Sequence, residues 1–163
     1  TAACKKDKDG GSCNLPSTAV PSNVTGDWVN GYTSFTQVLD AYNGRVLGST
    51  WQSGRFLSLK SNGKDAELYI MGGSQFSEFA TWVKGSVEFD EDNNFFKFNV
   101  CQAHYKGWQG GALTVDRDAT DSERAQLSEN LQFYYDFETS GNTTYLQLAF
   151  DPQGSASSFR KVK

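Results

Sequence analysis

His104 is the single histidine of this 163-residue chain, and Cys101 stands three positions before it. A thiol beside an imidazole could act as a nucleophile with its base, and several imidazoles could bind a metal ion. Because side chains alternate between the two faces of a strand, we expect Cys101 and His104 to point to opposite faces. One histidine cannot supply several imidazoles. The sequence therefore predicts no catalytic residue, no metal site and no cofactor.

The acidic run Asp90-Glu91-Asp92-Asn93 offers closely spaced oxygen ligands of the kind that calcium binds. It lacks the glycine and the closing glutamate of a calcium-binding loop, so we interpret it as a solvated turn. The glycines around Trp108 lack the lysine of a phosphate-binding loop. These residue types do not indicate an enzyme.

Aromatic side chains are the more informative group. The chain has 4 Trp, 7 Tyr and 12 Phe, which together make 14% of its residues. Aromatic platforms suit flat ligands, and an apolar barrel interior suits lipids. The candidate ligand-binding residues fall at predicted strand ends or on nominally polar faces, and they are Trp51, Tyr105, Trp108 and Tyr134. The alternative is that large side chains fill the centre of a narrow barrel.

Composition indicates one globular domain. Hydrophobic residues make up 37% of the chain and charged residues 21%, with a net charge of −4 and a pI near 4.9. An acidic chain without a concentrated basic face is a poor binder of polyanions, so we expect no nucleic-acid partner. No apolar run approaches the roughly 20 residues of a membrane-spanning helix.

Apolar and polar residues alternate in several short runs, of which Leu131 to Phe137 is the clearest. Period two with one polar face is typical of half-buried antiparallel strands, and turns rich in glycine and asparagine separate these runs. About eight strands at this spacing favour an all-β, antiparallel up-and-down β-barrel, because closure removes exposed edges. Residues 118–127 combine candidate N-caps with helix formers, which predicts one short surface helix.

Residues 1–22 are charged and lack periodicity, so we assign them to a disordered tether and residues 23–163 to the barrel domain. Within the tether, Ala2-Ala3-Cys4 and the charged stretch after it resemble the end of a bacterial lipoprotein signal peptide. The resemblance implies that Cys4 is lipidated and that the N-terminal lipid is the only membrane attachment. It also implies a place at the bacterial outer membrane, on the cell surface or the periplasmic face. The alternative is a charged leader on a secreted domain.

The chain has three cysteines, which leaves more than one pairing open. If Cys4 carries lipid, Cys13 and Cys101 could form a disulfide in an oxidising envelope. Cys4 could instead pair with Cys13, or all three thiols could be free.

The two ends of the barrel domain carry a further resemblance. The first strand opens with Gly26-Asp27-Trp28, and the last segment is Phe159-Arg160-Lys161-Val162. This pattern resembles that of the lipocalins, and the streptavidin barrel has a similar opening and ending. The resemblance implies that Trp28 plugs the barrel floor and that Arg160 covers it in a cation–π contact.

Three functions follow in order of preference. The first is a non-catalytic, lipid-anchored envelope protein that binds a small apolar or aromatic ligand in the mouth of a lipocalin-like barrel. The second is an accessory lipoprotein that docks onto a larger outer-membrane complex through exposed aromatic residues. The third is a barrel enzyme of the cyclase or isomerase kind. The first two differ in whether the aromatic side chains face a void or face outward.

Overall fold

The computed structural model describes residues 14–162. In that range the strands are β1 (Gly26–Asn30), β2 (Gly54–Leu59), β3 (Ala66–Gly73), β4 (Ser77–Asp90), β5 (Phe95–Gln109), β6 (Ala112–Asp118), β7 (Gln132–Ser140), β8 (Thr143–Ala149) and β9 (Ser157–Lys161). The α-helices are α1 (Phe35–Tyr42) and α2 (Asp121–Asn130). Neither of these helices is long or apolar enough to cross a membrane.

The strands form one antiparallel sheet that closes in a ring. Strand β1 pairs with β2 on one side and with β9 on the other, and β4 pairs with β5. The predicted all-β, antiparallel up-and-down barrel is therefore confirmed. The strands number nine rather than about eight. The extra strand arises because two short strands, β6 and β7, pair in succession along one edge of the long strand β5.

Helix α2 bridges the gap between β6 and β7. The Val100 N–H in the middle of β5 donates to the Ser128 hydroxyl of α2 at 2.9 Å, where a neighbouring strand would otherwise accept. A capping box starts the helix: the Thr120 hydroxyl accepts the Glu123 N–H, and the Glu123 carboxylate accepts the Thr120 N–H. The helix predicted over residues 118–127 is thus present, displaced by three residues.

A packed hydrophobic core fills part of the barrel interior. Its large members alternate along the strands as the sequence pattern predicts, and they include Trp28, Leu57, Leu68, Phe96, Phe98, Phe133, Leu146 and Phe159. Trp28 is only 2% exposed, and its indole N–H donates to the Val24 carbonyl at 2.8 Å. The Phe96 and Phe133 rings lie 5.2 Å apart. These side chains pack against one another and fill this part of the interior.

The barrel has two different ends. Residues 31–53, 74–76, 110–111 and 150–156 connect strands at one end, which is termed the open end. Residues 60–65, 91–94 and 141–142 connect strands at the other, which is termed the closed end because the segment before β1 packs there. In that segment the Thr18 N–H donates to the Val87 carbonyl at 3.0 Å, and Val20 is buried. The last residues of the predicted tether are thus hydrogen-bonded to the barrel, while Cys4 and Cys13 lie outside the described residues.

A second apolar cluster lies on the outside of the barrel, beneath α1. This helix begins after Ser34, whose hydroxyl accepts an N–H of the first turn. It buries Val38 and Ala41 against Phe56 and Tyr69, which stand on the strand face opposite to the core. This group is termed the outer cluster. The sequence analysis predicts no helix here, because eight residues give only about two turns of periodicity.

Candidate functional site

A row of side chains runs around the inside of the barrel between the core and the open end. It is termed the inner layer, and its members are Asn30, Arg55, Ile70, Thr81, Tyr105 and Arg117. Each is the register partner of the next residue in the row, so all six share one face of the sheet. Ile70 and Tyr105 pack on the core and are only partly buried. The inner layer is thus the level at which the interior becomes polar and accessible.

One half of the inner layer is an ordered ionic group. The Arg117 guanidinium donates to both carboxylate oxygens of Glu123, at 2.8 and 3.0 Å. The bond from Arg117 and the N–H of Thr120 lower the pKa of Glu123 to about 2. Arg117 also lies 5.2 Å from the centroid of the Tyr105 ring. Burial and the Glu123 charge raise the pKa of Tyr105 against the opposing effect of Arg117, so its hydroxyl keeps its proton at neutral pH.

Five large apolar side chains are exposed in or beside the connections of the open end. They are termed the apolar rim, and their exposed fractions are 70% for Phe76, 47% for Phe79, 52% for Leu113, 39% for Val115 and 59% for Phe150. All five lie at the open end. Phe79 lies over Gly72, where any Cβ would collide with the ring, and Val115 lies over Gly107. Two glycines on the inner face therefore make room for these side chains against the wall.

Two of the predicted ligand-binding residues, Trp51 and Trp108, lie together but outside the barrel. Their ring centroids are 6.0 Å apart, and both belong to or pack against the outer cluster. Trp108 is 5% exposed, and the Trp51 indole N–H donates to the Gly72 carbonyl at 3.1 Å. This pair packs the loop of residues 43–53 against β3 and β5, so neither ring reaches the barrel mouth.

The other two predicted residues, Tyr105 and Tyr134, do not join that pair, because Tyr105 faces the other side of β5 and Tyr134 stands on β7. Tyr105 belongs to the inner layer. Tyr134 stands on the outer face of β7, with its ring 5.1 Å from that of Phe95. Tyr105 alone of the four lies inside the barrel mouth. The separation of Tyr105 from Trp108 could have been predicted from the sequence. The two residues are three apart on one strand, so their side chains face opposite sides.

Glu78 is a buried carboxylate that sequence reasoning missed. It is 2% exposed on the outer face of β4, opposite Trp108. One carboxylate oxygen accepts the Gly48 N–H at 3.1 Å, and the other has no hydrogen-bond partner among the residues that the structure describes. The contact holds the 43–53 loop over the outer cluster. Nothing in the sequence distinguishes this glutamate from a solvated one, since a neighbouring loop causes its burial.

His104 lies on the outer face of β5, between two aspartates of β6. Its Nε2 lies 2.6 Å from the Asp116 carboxylate and its Nδ1 lies 2.8 Å from that of Asp118. Burial lowers the pKa of His104, but the hydrogen bonds to Asp118 and Asp116 outweigh it and raise the pKa overall. The three side chains tie β6 to β5. Within residues 14–162 no group of three or more histidine, cysteine or acidic residues could hold a metal ion.

Cys101 is the extra residue of a β-bulge, because Val100 pairs with Gly85 and Gln102 pairs with Lys84. Its sulfur is disulfide-bonded. Since Cys13 lies outside the described residues, the Cys13–Cys101 pairing stays a prediction.

The closed end has a cleft of about 650 Å³ beside Trp28, lined also by Asn142, Arg160 and Lys161. The cation over the Trp28 ring is Lys161, 5.4 Å from its centroid, and not Arg160 as the lipocalin resemblance implied. Arg160 pairs with Val29 on the outer face and donates to the Thr33 carbonyl at 3.0 Å. The alternation of side chains along β9 explains why Lys161 takes the position expected for Arg160, because only one of two successive residues can face inward.

Comparison of the chain with protein-family models, with curated proteins and with solved structures found no match in any of the three. The lipoprotein and lipocalin resemblances of the sequence therefore stay predictions. The function must be inferred from the geometry of residues 14–162.

Proposed function

We propose that this protein is a non-catalytic binding protein that takes a small amphipathic ligand at the open end of its barrel. The observation that carries the proposal is the position of the apolar rim. All five exposed large hydrophobic side chains of the described chain lie at that one end. Two of them, Phe79 and Val115, stand on the inner face one register step outside the polar inner layer. Large apolar side chains left exposed at one end of a domain, next to polar groups, are typical of a binding site.

The energetics favour a ligand with an apolar part at the rim. Burying a Val or Phe side chain fully is worth about 1.5–3 kcal/mol relative to leaving it exposed. Phe79 and Val115 are on the inner face and so can both contact one ligand. The core below the inner layer sets the depth that such a ligand could reach.

The inner layer supplies polar groups that orient a ligand. The ordinary pKa of tyrosine lies well above neutral pH and the pKa of Tyr105 is raised further, so its hydroxyl is available as a hydrogen-bond donor. Thr81 adds a second hydroxyl in the register position beside it. Arg117 is held by Glu123, which fixes it as part of the wall. Fixed donors around an apolar mouth suit binding and orientation.

A titration with the neutral fluorescent probe N-phenyl-1-naphthylamine tests the proposal. We expect saturable binding at one site. Phe79→Ser and Val115→Ser should each weaken it by more than about fivefold, since truncating a packed anchor often costs above 1 kcal/mol. Tyr134→Ser is the matched control, because it removes an aromatic ring from the outer face. Absence of binding, or equal weakening by Tyr134→Ser, would contradict the proposal.

We extend the proposal to the place of the protein, because Cys4 resembles a lipidation site. A lipid anchor at the bacterial outer membrane would hold the protein near a source of apolar ligands. Expressed with its natural leader, the parent should fractionate with membranes, and Cys4→Ser should move it to the soluble fraction. Equal partition of parent and variant would rule out the anchor.

Docking onto a larger envelope complex is the second candidate function, and strand β6 favours it. Every residue of β6 is exposed, and in the described sheet β6 pairs only with β5. A strand with a free edge can pair with another chain. If the probe does not bind and Leu113→Ser prevents crosslinking to an envelope partner, docking becomes the better account.

A further inference from the structure

We infer that Arg55 is the recognition residue for an anionic headgroup, so that the ligand of the open end is a small carboxylate with an apolar chain. The inference rests on the proposed function and names the chemical class of its ligand. Its basis is the direction, the charge and the neighbours of this one side chain.

The first observation is the direction of Arg55. It stands on β2 two residues before Leu57, which is fully buried in the core, so the two share the inner face. Its guanidinium Nη1 donates to the Ser157 hydroxyl of β9 at 3.4 Å. Strand β1 lies between β2 and β9, so the side chain spans the inner surface of β1. The guanidinium therefore lies in the barrel mouth.

The second observation is that the charge of Arg55 is not compensated. No carboxylate of residues 14–162 lies within 4.0 Å of its guanidinium, whereas Arg117 in the same layer is paired with Glu123 at 2.8 Å. The long bond to Ser157 uses one of its five N–H donors. Partly buried arginines are normally paired, because a desolvated charge is costly. An acidic protein that keeps such a cation in its mouth presents a site for an anion.

The third observation is the apolar wall that rises beside Arg55. Ile70 is its register partner, and Gly72 follows on the same face of β3. The Phe79 ring covers Gly72 and is half exposed. A carboxylate bound at Arg55 would thus leave an attached chain along Ile70 and Phe79 toward the open end. An inorganic anion would use the guanidinium but not this wall.

Calorimetric titration of the full chain with decanoate and with 1-decanol tests the inference. The two probes share the apolar chain and differ in the headgroup. Hydrogen bonds to charged groups contribute about 1.5–3 kcal/mol, so decanoate should bind about 10- to 100-fold more tightly than decanol. Arg55→Met should remove that preference, so that both probes bind with equal affinity, and Arg55→Lys should restore part of it. Arg45→Met is the matched control, because it removes the same charge from an exposed loop position paired with Asp40.

The outcomes separate the inference from the proposed function. If the parent binds both probes with equal affinity, the inference is overturned but the proposed function is not. This outcome does not depend on whether the variants fold. Equal loss of preference in Arg55→Met and Arg45→Met also overturns it, since net charge would then be the cause. Tight binding of inorganic phosphate without preference for decanoate shows an anion site without a chain site, and that overturns the ligand class. Binding of neither decanoate nor decanol overturns the proposed function as well.

Discussion

At the residue scale, His104 holds a short edge strand through charge. Asp116 and Asp118, its two partners, have 50% and 72% of their side chains exposed, so solvent weakens both pairs and their contribution is modest. Trp82 is its register partner on β4 and Lys106 is the nearest cation on its own strand. The imidazolium is thus the group that makes the attachment of β6 depend on pH.

His104 should make the stability of the fold fall as pH rises. Its pKa is raised in the folded state, so the stabilisation is fully present below the ordinary histidine pKa of about 6.5 and is lost as pH rises through the raised value. The difference in urea midpoint between the parent and His104→Gln should be larger at about pH 5.5 than at about pH 8.5. Asp116→Asn should reduce this difference. A difference in urea midpoint that is the same at both pH values would show that the histidine acts by packing alone.

Single residues also show how far the sequence could be interpreted. The burial of Trp28 follows from its place in an alternating first strand, and the separation of Cys101 from His104 follows from their spacing. The sequence does not show which side of the barrel wall Trp51 and Arg55 face. The loop of residues 43–53 folds back over the outside of the barrel, and the sequence gives no sign of this. Bulges between Lys84 and Gly85 and beside Gly107 shift the alternation further. A pattern of period two cannot show which of two faces a loop will cover.

At the element scale, α2 takes the place of a strand segment. Its capping box should therefore matter to the barrel beyond the helix itself. Thr120→Ala should lower the free energy of unfolding by about 0.5–2 kcal/mol, the usual cost of a lost N-cap. Amide exchange of Val100 should accelerate as well, because its N–H bonds to Ser128 of the same helix.

The control for this prediction is Thr139→Ala, which removes an exposed hydroxyl whose partner is the Thr144 hydroxyl across β7 and β8. Urea unfolding and hydrogen exchange should leave that variant close to the parent. An unchanged midpoint in Thr120→Ala would mean that the β5 edge is closed without help from the helix.

The two helices show why one could be predicted and the other could not. Helix α2 carries local signals, with Thr120 as its cap and acidic residues in its first turn. Helix α1 has a cap but only eight residues, and its buried face exists because Phe56 and Tyr69 point outward. That second condition depends on the register of the closed sheet. Elements specified by local chemistry are predictable from one sequence, and elements specified by the surface they cover are not.

At the scale of the whole molecule, the barrel divides its apolar residues among three places. The core fills the interior toward the closed end, the outer cluster fixes the 31–53 connection, and the apolar rim remains exposed at the open end. The first two are buried and support the fold. The third is left for a partner outside the described chain, which we propose to be a small ligand oriented by the inner layer.

The closed-end cleft beside Trp28 is the main competitor for that ligand. It is sizeable, and it is lined by Arg160 and Lys161. Its walls combine the aromatic rings of Trp28 and Phe137 with asparagine and threonine side chains, whereas the exposed large apolar side chains lie at the other end. The place at which an apolar probe binds therefore distinguishes the two ends.

The most direct test of the central claim is where N-phenyl-1-naphthylamine binds. Amide chemical shifts of isotope-labelled protein, followed through a titration, report the location for every residue at once. We predict that the shifts cluster at the open end, at residues 70–81 and 105–117, and that Phe79→Ser suppresses them. Shifts that cluster instead at residues 141–144 and 160–162, with the open end unmoved, would place the site in the closed-end cleft and contradict the account.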